Sequence, residues 1–258
     1  MFESYLRSHD LKPAGDKLQR AFFIPGVRIG YYLNKSTRIA HSGSLGAKVK
    51  MSKSITQETM TRASRETAKR LASAGFKRKG IHLHRKIGEL FHAIQFQASQ
   101  WGTAAEGKFT VNLIVTSSSL YTQWIGRPFP ANPASALFPI QMRIGSLIPQ
   151  RCDRWWPVDS ETDISSLAIE VASTVEQYAM QFFMLYESNE LLLAQLRQRN
   201  CPGCTTPLAA VVHALVANNL GYHTEAVEAC QRALSESNVP AFSERVISLA
   251  QTLGLPVT

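Results

Sequence analysis

Polar side chains alternate with apolar ones along neighbouring predicted strands, and their amide and guanidinium groups could bind a partner. Alternation places Gln95 and Gln97 on one face of a strand, and it places Asn112 on one face of the next strand. Arg143 lies between apolar neighbours in a later strand. Because these groups form directional hydrogen bonds, we predict a ligand- or partner-binding face. The alternative is the solvated side of a half-covered antiparallel sheet.

The sequence Asp153-Arg154-Trp155-Trp156 places two adjacent tryptophans next to two charges. Adjacent side chains in an extended chain point in opposite directions, so one ring is expected to enter the core while the other caps a rim. Since tryptophan is frequent at interface hot spots, Asp153, Trp155 and Trp156 join the predicted partner-binding set. The alternative is structural, with the large rings in the core and the two charged residues holding a corner through hydrogen bonds.

Cys201 and Cys204, in the sequence CPGC, have the spacing of half a zinc knuckle or of a redox dithiol. The sequence contains no second CxxC and no HxxxH, so the pair is a weak metal candidate. Cys230 and His213 would complete four ligands only if the C-terminal helices fold back onto the turn. We therefore predict no metal site.

His82 and His84 could place two imidazoles on one strand face, as in some metal sites. A third ligand is needed, and His92 on the pairing strand is the candidate nearest in sequence. A solvent-facing pair of histidines is the more common arrangement.

A basic cluster at a helix–strand turn holds the best candidates for nucleic-acid contacts: Lys77, Arg78, Lys79, Arg85 and Lys86. The chain has a net charge of +9, and its first 100 residues carry 19 of the 28 Lys and Arg. Since the charge is concentrated near the N-terminus, overall basicity is weak support for a nucleic-acid partner. The alternative is an ordinary solvated surface.

No catalytic constellation is recognisable in the sequence. A glycine-rich phosphate loop, HExxH and GxSxG are all lacking, and no acid–base pair stands out. We therefore predict no cofactor and favour a protein that is not an enzyme. A deep pocket containing Arg143, Asp153 and a histidine would favour an enzyme instead.

The residues that could do chemistry lie in a chain whose periodicity predicts an α+β domain. A helix is expected over 54–74, where small and apolar residues recur every three or four positions after a capping-box pattern. Short links then predict an antiparallel meander of about four strands, covered on one face by helices. The predicted strands cover 81–86, 90–99, 108–117 and 140–147.

From Asp163 onward the pattern is helical. An apolar stripe from Ile164 to Phe182 predicts a long helix that covers the core, and a second helix is expected over 187–198. Residues 207–235 resemble a single tetratricopeptide-type helical hairpin, with small residues where the two helices approach each other. A further helix is expected near 242–253.

Three regions are predicted along the chain. They are a poorly ordered basic extension at 1–50, an α+β core domain at 51–199 and a helical appendage at 200–258. A natural start at Met51 is expected, with a genuine basic arm as the alternative. Four cysteines in 258 residues do not make a disulfide framework. Without a secretion-signal pattern or an apolar span, a cytoplasmic protein with no membrane contact is expected.

An ordered series of short motifs marks a resemblance to a known family. The motifs are GFKRKG at 75–80, FQASQWG at 96–102, FTVNL at 109–113, RIGSL at 143–147 and DRWW at 153–156. Over about residues 56–196 the chain resembles the domain-of-unknown-function family 4304 (DUF4304), found mostly in bacterial proteins. The resemblance implies a fold and its boundaries, and it carries no established activity.

Three functional classes follow from these observations. We expect first a non-catalytic domain that binds another protein, for which family-level analogy suggests an accessory or immunity-type role in bacterial defence. A nucleic-acid-binding module that uses the basic cluster at 77–86 is the alternative. An unrecognised enzyme is the third class.

Overall fold

A computed structural model describes residues 54–199 and 201–257, so the predicted extension at 1–50 lies outside the described residues. In this described part the chain forms one antiparallel sheet of six strands and seven α-helices. The predicted α+β class is confirmed. None of these helices combines the length and the apolar character needed to cross a membrane.

Helix α1 (Ile55–Arg70) begins at Ser54, whose side-chain oxygen accepts a hydrogen bond from the Gln57 amide at 3.3 Å. The serine therefore caps the helix, as the capping pattern predicts. The apolar stripe is buried, with Met60 among the core residues. The helix ends at Arg70, before the predicted limit, and residues 71–75 form a turn that closes at Gly75, whose φ of +81° favours glycine.

Six strands form the sheet, and the first five pair in chain order: β1 (Lys77–Lys79), β2 (His82–Ile87), β3 (Leu90–Ala98), β4 (Gly107–Ser117), β5 (Ile140–Arg143) and β6 (Trp156–Val158). Both β5 and β6 pair antiparallel with β4, at different positions along it. The antiparallel meander is confirmed, but it has six strands rather than about four. The sequence pattern missed β1 and β6 because three residues are too few to show alternation.

The predicted strand at 140–147 is wrong in its second half. Strand β5 ends at Arg143, and residues 144–146 form a short 3-10 helix. Gly145 allows this turn, because a Cβ there would overlap the Cys152 carbonyl oxygen. The glycine therefore lets the chain after β5 lie directly against the segment that leads into β6.

Two helices follow β6, close to where the sequence predicts them. Helix α3 (Ile164–Met184) carries the predicted apolar stripe, and Val171 and Val175 of this stripe are fully buried. Helix α4 (Asn189–Arg197) follows, with Ser188 as its N-cap. These helices, like α1, contribute side chains to the main core cluster.

The strand register gives the sheet two chemically different faces. The core face holds Leu83, Ile94 and their apolar neighbours, which share one buried cluster with residues of α1 and α3. The polar face holds a row formed by Gln95, Asn112 and Arg143, which are paired directly across β3, β4 and β5. The predicted division into an apolar, helix-covered face and a polar face therefore agrees with the register.

A segment rich in proline covers part of the polar face. Helix α2 (Ser118–Ile125), which the sequence pattern does not predict, follows β4 directly and begins with Ser117 as its N-cap. The chain then runs through residues 126–139, which are largely irregular as predicted. This segment lies against the sheet, where the Gln95 Nε2 donates to the Ala134 carbonyl at 2.9 Å.

The C-terminal part consists of helices α5 (Thr206–Asn219), α6 (His223–Ser235) and α7 (Pro240–Thr252). Helices α5 and α6 form the predicted hairpin, with a turn at Gly221, whose φ is +84°. The core cluster that includes α1 extends into all three helices. The predicted domain boundary at residue 200 stays a prediction, and the tetratricopeptide likeness stays a resemblance.

Candidate binding site on the polar face of the sheet

The three predicted amides lie together on the polar face and hydrogen-bond one another. The Asn112 Nδ2 donates to the Gln95 Oε1 at 2.9 Å and to the Gln97 Oε1 at 2.7 Å. Asn112 is only 2% exposed, so it positions the two glutamines and cannot itself contact a partner. Both polar atoms of the Gln95 amide also make internal bonds. The prediction that Asn112 and Gln95 bind a partner directly is therefore corrected.

Trp155 lies beside three charged side chains, and we call Lys108, Arg143, Asp153 and Trp155 the Trp155 cluster. The Arg143 Nη1 donates to the Asp153 Oδ1 at 2.5 Å, and the Trp155 Nε1 donates to the Asp153 Oδ2 at 2.9 Å. The Arg143 Cζ lies 5.2 Å from the centroid of the Trp155 ring, and the Lys108 Nζ lies 5.4 Å from it. Both distances are within the range of cation–π attraction. The Asp153 carboxylate therefore holds the ring and the arginine together.

Strand pairing explains why Trp155 lies on the polar face. Strand β6 places Pro157 opposite Lys108, and side chains two residues apart in extended chain share a face. Trp155 therefore projects on the side of Lys108. The Thr110 Oγ1 donates to the Arg154 carbonyl at 2.8 Å, which fixes the segment leading into β6 against β4.

Trp156 enters the core, as expected for one of the two adjacent tryptophans. It is 1% exposed, and its Nε1 donates to the Glu170 Oε1 at 2.9 Å. The Arg154 Nη2 donates to the same oxygen at 2.7 Å, so both residues tie the DRWW segment to α3. Trp156 is a core residue, and the prediction that it binds a partner is corrected.

The Trp155 cluster carries two cations and one carboxylate. Partial burial opposes ionisation of Asp153, but hydrogen bonds from Arg143 and Trp155 outweigh burial and lower the pKa of Asp153 below its ordinary value. Lys108 is exposed and forms no ion pair within the described part of the chain. None of the six strands contains Asp or Glu. The cluster is therefore positively charged at neutral pH.

The predicted basic cluster at 77–86 is divided between the two faces of the sheet. Lys77 and Lys79 lie on β1, at the opposite edge of the sheet from β5, and the Lys79 Nζ donates to a carbonyl of the proline-rich segment at 2.7 Å. Arg78 is exposed and donates to a carbonyl within its own turn. Lys86 is exposed as well, but Arg85 is only 9% exposed and lies on the core face. The assignment of Arg85 to an exposed nucleic-acid site is therefore wrong.

The three neighbouring histidines do not share a site. His82 and His84 lie on the polar face, whereas His92 is paired with Arg85 and lies on the core face. The His92 Nε2 donates to the Tyr186 carbonyl at 2.7 Å, and its Nδ1 accepts from the Arg85 guanidinium. Burial, with a contribution from the charge of Arg85, lowers the pKa of His92 to about 4. His92 is therefore a neutral core residue and not a third ligand for the pair.

The two cysteines of the CPGC turn also stay without further metal ligands. His213 forms a contact of 2.6 Å with Glu225, and Cys230 is buried separately. In residues 54–199 and 201–257, no three His, Cys, Asp or Glu side chains gather to hold a metal ion. The four-ligand arrangement of Cys201, Cys204, Cys230 and His213 therefore does not form there.

Two cavities lie among the C-terminal helices rather than on the polar face. One, of about 110 Å³, is lined by Cys201 and Cys204, and the other, of about 430 Å³, is lined by His213. Neither is lined by Arg143 or Asp153. These cavities therefore do not supply the pocket that would favour an enzyme.

Lys108 is a candidate that the sequence reasoning missed. The alternation that placed Asn112 on the polar face also places Lys108 there, four residues earlier in β4. That signal was available in the sequence. The sequence offered no such signal for the approach of Arg143 to Asp153, because this contact depends on how the turn at Gly145 packs.

The sheet and the Trp155 cluster lie in a part of the chain that matches a known family. Residues 67–185 match the model of the domain of unknown function DUF4304. The DUF4304 match confirms the resemblance seen in the motifs, and it contains all six described strands. No curated protein and no solved structure matches the chain. Since the family description states no activity, function must be argued from the site itself.

Proposed function

We propose that this protein is a non-catalytic binding protein whose Trp155 cluster anchors an acidic segment of another protein. The observation that carries the proposal is an aromatic ring beside two cations and a single carboxylate. This arrangement offers a flat apolar surface together with charged hydrogen-bond donors. It suits a segment in which carboxylates stand next to apolar side chains.

Gln97 extends the anchoring surface on the same face. Asn112 donates a hydrogen bond to the Gln97 Oε1, while the Gln97 Nε2 makes no hydrogen bond within the described part of the chain. An amide donor next to a cationic cluster suits a carboxylate or a backbone carbonyl of the partner. In this proposal Gln97, Lys108 and Arg143 contact the partner, and Asn112 is a positioning residue.

Nucleic-acid binding is the alternative function. A nucleic-acid backbone is held by several Lys and Arg side chains along a track. The basic cluster at 77–86 supplies a shorter track than predicted, because Arg85 is buried and Lys79 already donates to a carbonyl. An acidic protein segment requires only the ring and the two cations, and for this reason we favour it.

The finer role that we propose is an accessory or immunity-type protein of bacterial defence, which acts by occupying a partner protein. Family-level analogy is the only basis for this setting. The binding proposal does not depend on it, since the Trp155 cluster would bind an acidic segment in any setting.

Paired charge variants of the full chain test the binding proposal. The probe is a fluorescent peptide with alternating Glu and Leu, and its anisotropy is followed as protein is added. Replacing both Lys108→Ala and Arg143→Ala should weaken binding at least about tenfold, which corresponds to about 1.4 kcal/mol. The matched control, Arg65→Ala with Lys69→Ala, removes two exposed cations from α1 and should leave the affinity within about twofold.

Two results would count against the proposal. Equal weakening by both double variants would mean that only the total charge matters and that the Trp155 cluster is not an anchor. A single-stranded oligonucleotide of the same charge provides the second comparison. If it binds more tightly than the peptide, with an affinity that falls steeply with salt, nucleic acid replaces protein as the partner.

A further inference from the structure

The sequence Cys201-Pro202-Gly203-Cys204 folds into a tight turn that brings the two cysteines together. The Cys204 backbone nitrogen donates to the Cys201 carbonyl at 3.2 Å, and Gly203 has a φ of +88°. Proline in the second position and a glycine of positive φ in the third are typical of a type II turn. The first and last Cα atoms of such a turn lie within about 7 Å, close to the separation that a disulfide spans.

The turn is fixed against the edge of the sheet. The Gln141 backbone nitrogen in β5 donates to the Gly203 carbonyl at 3.1 Å. A Cβ on Gly203 would lie 2.6 Å from the Gln141 carbonyl oxygen, so no side chain fits at this position. Because β5 holds the backbone of the turn, the spacing of the two cysteines is set by the fold rather than by a mobile loop.

Both cysteines line the same cavity, which has a volume of about 110 Å³. Each residue is partly exposed, and together they form part of the wall of this cavity. Two guanidinium groups, those of Arg199 and Arg232, line the cavity together with one carboxylate, that of Glu236. The excess of positive charge favours an anionic small molecule.

Tyr186 adds a buried hydroxyl beside the pair. The residue is fully buried, and its hydroxyl makes no close hydrogen bond within the described part of the chain. Burial first, and then the negative charge of an ionised Cys201, raise the pKa of Tyr186. The neighbouring Cys204 thiol is the main cause that lowers the pKa of Cys201. Burial opposes this shift, and the Tyr186 hydroxyl adds a smaller lowering. The same pairing raises the pKa of Cys204, so Cys201 ionises first.

We propose that Cys201 and Cys204 form a redox-active dithiol that reduces a small anionic disulfide. The Cys201 thiolate attacks one sulfur of that disulfide, whose S–S bond breaks, and one thiolate leaves. The Cys204 thiol then loses its proton to solvent, and its sulfur attacks Cys201 in the mixed disulfide. A Cys201–Cys204 disulfide forms, and the second thiolate leaves. Two electrons pass to the small disulfide, and the two released thiolates take up two protons.

Glutathione disulfide, an anionic small disulfide, serves as the probe with the reduced full chain. We expect two of the four thiols to disappear, and peptide mapping after alkylation should find Cys201 joined to Cys204. Cys204→Ser should trap glutathione on Cys201, because the resolving thiol is missing. Cys201→Ser should react about tenfold more slowly, because burial still raises the pKa of the remaining Cys204 thiol in this variant.

Three further variants separate a redox role from a structural one. Cys152→Ser and Cys230→Ser remove one exposed and one buried cysteine outside the turn, so the rate should stay within about twofold. Tyr186→Phe keeps the buried ring and removes only a hydroxyl, so it should fold normally and react several-fold more slowly. Three results would each overturn the proposal. They are attachment of glutathione to Cys152 as fast as to Cys201, failure to form the Cys201–Cys204 disulfide, and binding of stoichiometric zinc that protects both thiols.

Discussion

Arg85 and Arg143 lie on opposite faces of the same sheet and differ in how many of their donors are already bound. Arg85 is 9% exposed and donates to His92, to the Ala74 carbonyl and to Glu187 at 3.2 to 3.4 Å. The Arg143 side chain is 35% exposed and donates to one carboxylate, which is itself largely exposed. The first guanidinium is enclosed by the fold, and the second faces solvent.

This difference separates a structural arginine from the one that we propose for binding. On the core face an unpaired donor would be costly, so burial of Arg85 requires partners from several elements. On the polar face water satisfies the remaining donors of Arg143, and a partner can replace that water. An arginine in a strand therefore indicates binding only when the fold leaves some of its donors unbound.

The two adjacent tryptophans provide the largest expected contrast between the faces. Trp156→Ala should lower the free energy of unfolding by about 4 kcal/mol, because it leaves a large cavity under α3. Trp155→Ala should lower it by about 1 kcal/mol, since this ring is only partly buried. Urea unfolding of both variants, followed by circular dichroism, measures the two losses. Equal losses would mean that Trp155 is a core residue and not an anchor.

The two arginines should differ in the same direction. Arg85→Leu removes the donor from a buried network and should lower the free energy of unfolding by about 3 kcal/mol. Arg143→Leu removes one side of an exposed ion pair and should lower it by less than about 1 kcal/mol. The same urea unfolding applies, and a large loss for Arg143→Leu would contradict its assignment to the binding surface.

His92 should make the core face sensitive to acid. Its pKa is about 4 in the folded protein, against about 6.5 when unfolded, so the unfolded state binds more protons between these values. The free energy of unfolding therefore falls as the pH is lowered, by about 2 kcal/mol between pH 7.5 and pH 5. Urea unfolding at a series of pH values measures this slope.

His92→Gln provides the control, since its amide can donate to the Tyr186 carbonyl and accept from Arg85. The variant should show a shallower loss of stability on acidification. Burial also lowers the pKa of His82, His84 and His213, and all three remain in the variant. The difference between the two proteins therefore isolates His92, and identical slopes would show that it titrates normally in the fold.

The smallest expected effects concern the carboxylate on each face. Asp153→Asn removes the single negative charge of the Trp155 cluster and should tighten binding of the acidic peptide about threefold, or about 0.6 kcal/mol. Glu187→Gln removes the carboxylate that pairs with Arg85 on the core face, and it should leave peptide binding unchanged. Anisotropy titrations of the two variants measure both values. Weaker binding by Asp153→Asn would mean that orientation of the ring matters more than charge.

The sequence predicted the long amphipathic elements better than the short ones. Periodicity was sufficient for α1 and α3, and alternation was sufficient for β3 and β4. Helix α2 was missed because it has eight residues between a strand and a proline-rich segment. Strand β6 was missed because it has only three residues and because one of them is Pro157, a residue that argues against a strand unless the strand lies at an edge.

The candidate site was predicted in part. Alternation correctly grouped Gln95, Gln97 and Asn112 on one face, but it could not show that Asn112 would be almost fully buried. Arg85 also follows the alternation onto the core face, where Glu187 reaches its guanidinium from the turn that follows α3. That partner lies 102 residues away, and no local pattern predicts such a contact.

The sequence by itself determined the two faces of the sheet, because side chains in a strand alternate with a period of two. It also determined that the face carrying Arg143 lacks acidic residues in its strands. Only the tertiary structure decided which of these polar groups remain available. Segment 126–139 covers Gln95, and the close approach at Gly145 sets Arg143 beside Asp153. Both depend on packing between distant segments, and hydrogen-bond donors stay unbound only where that packing leaves them in water.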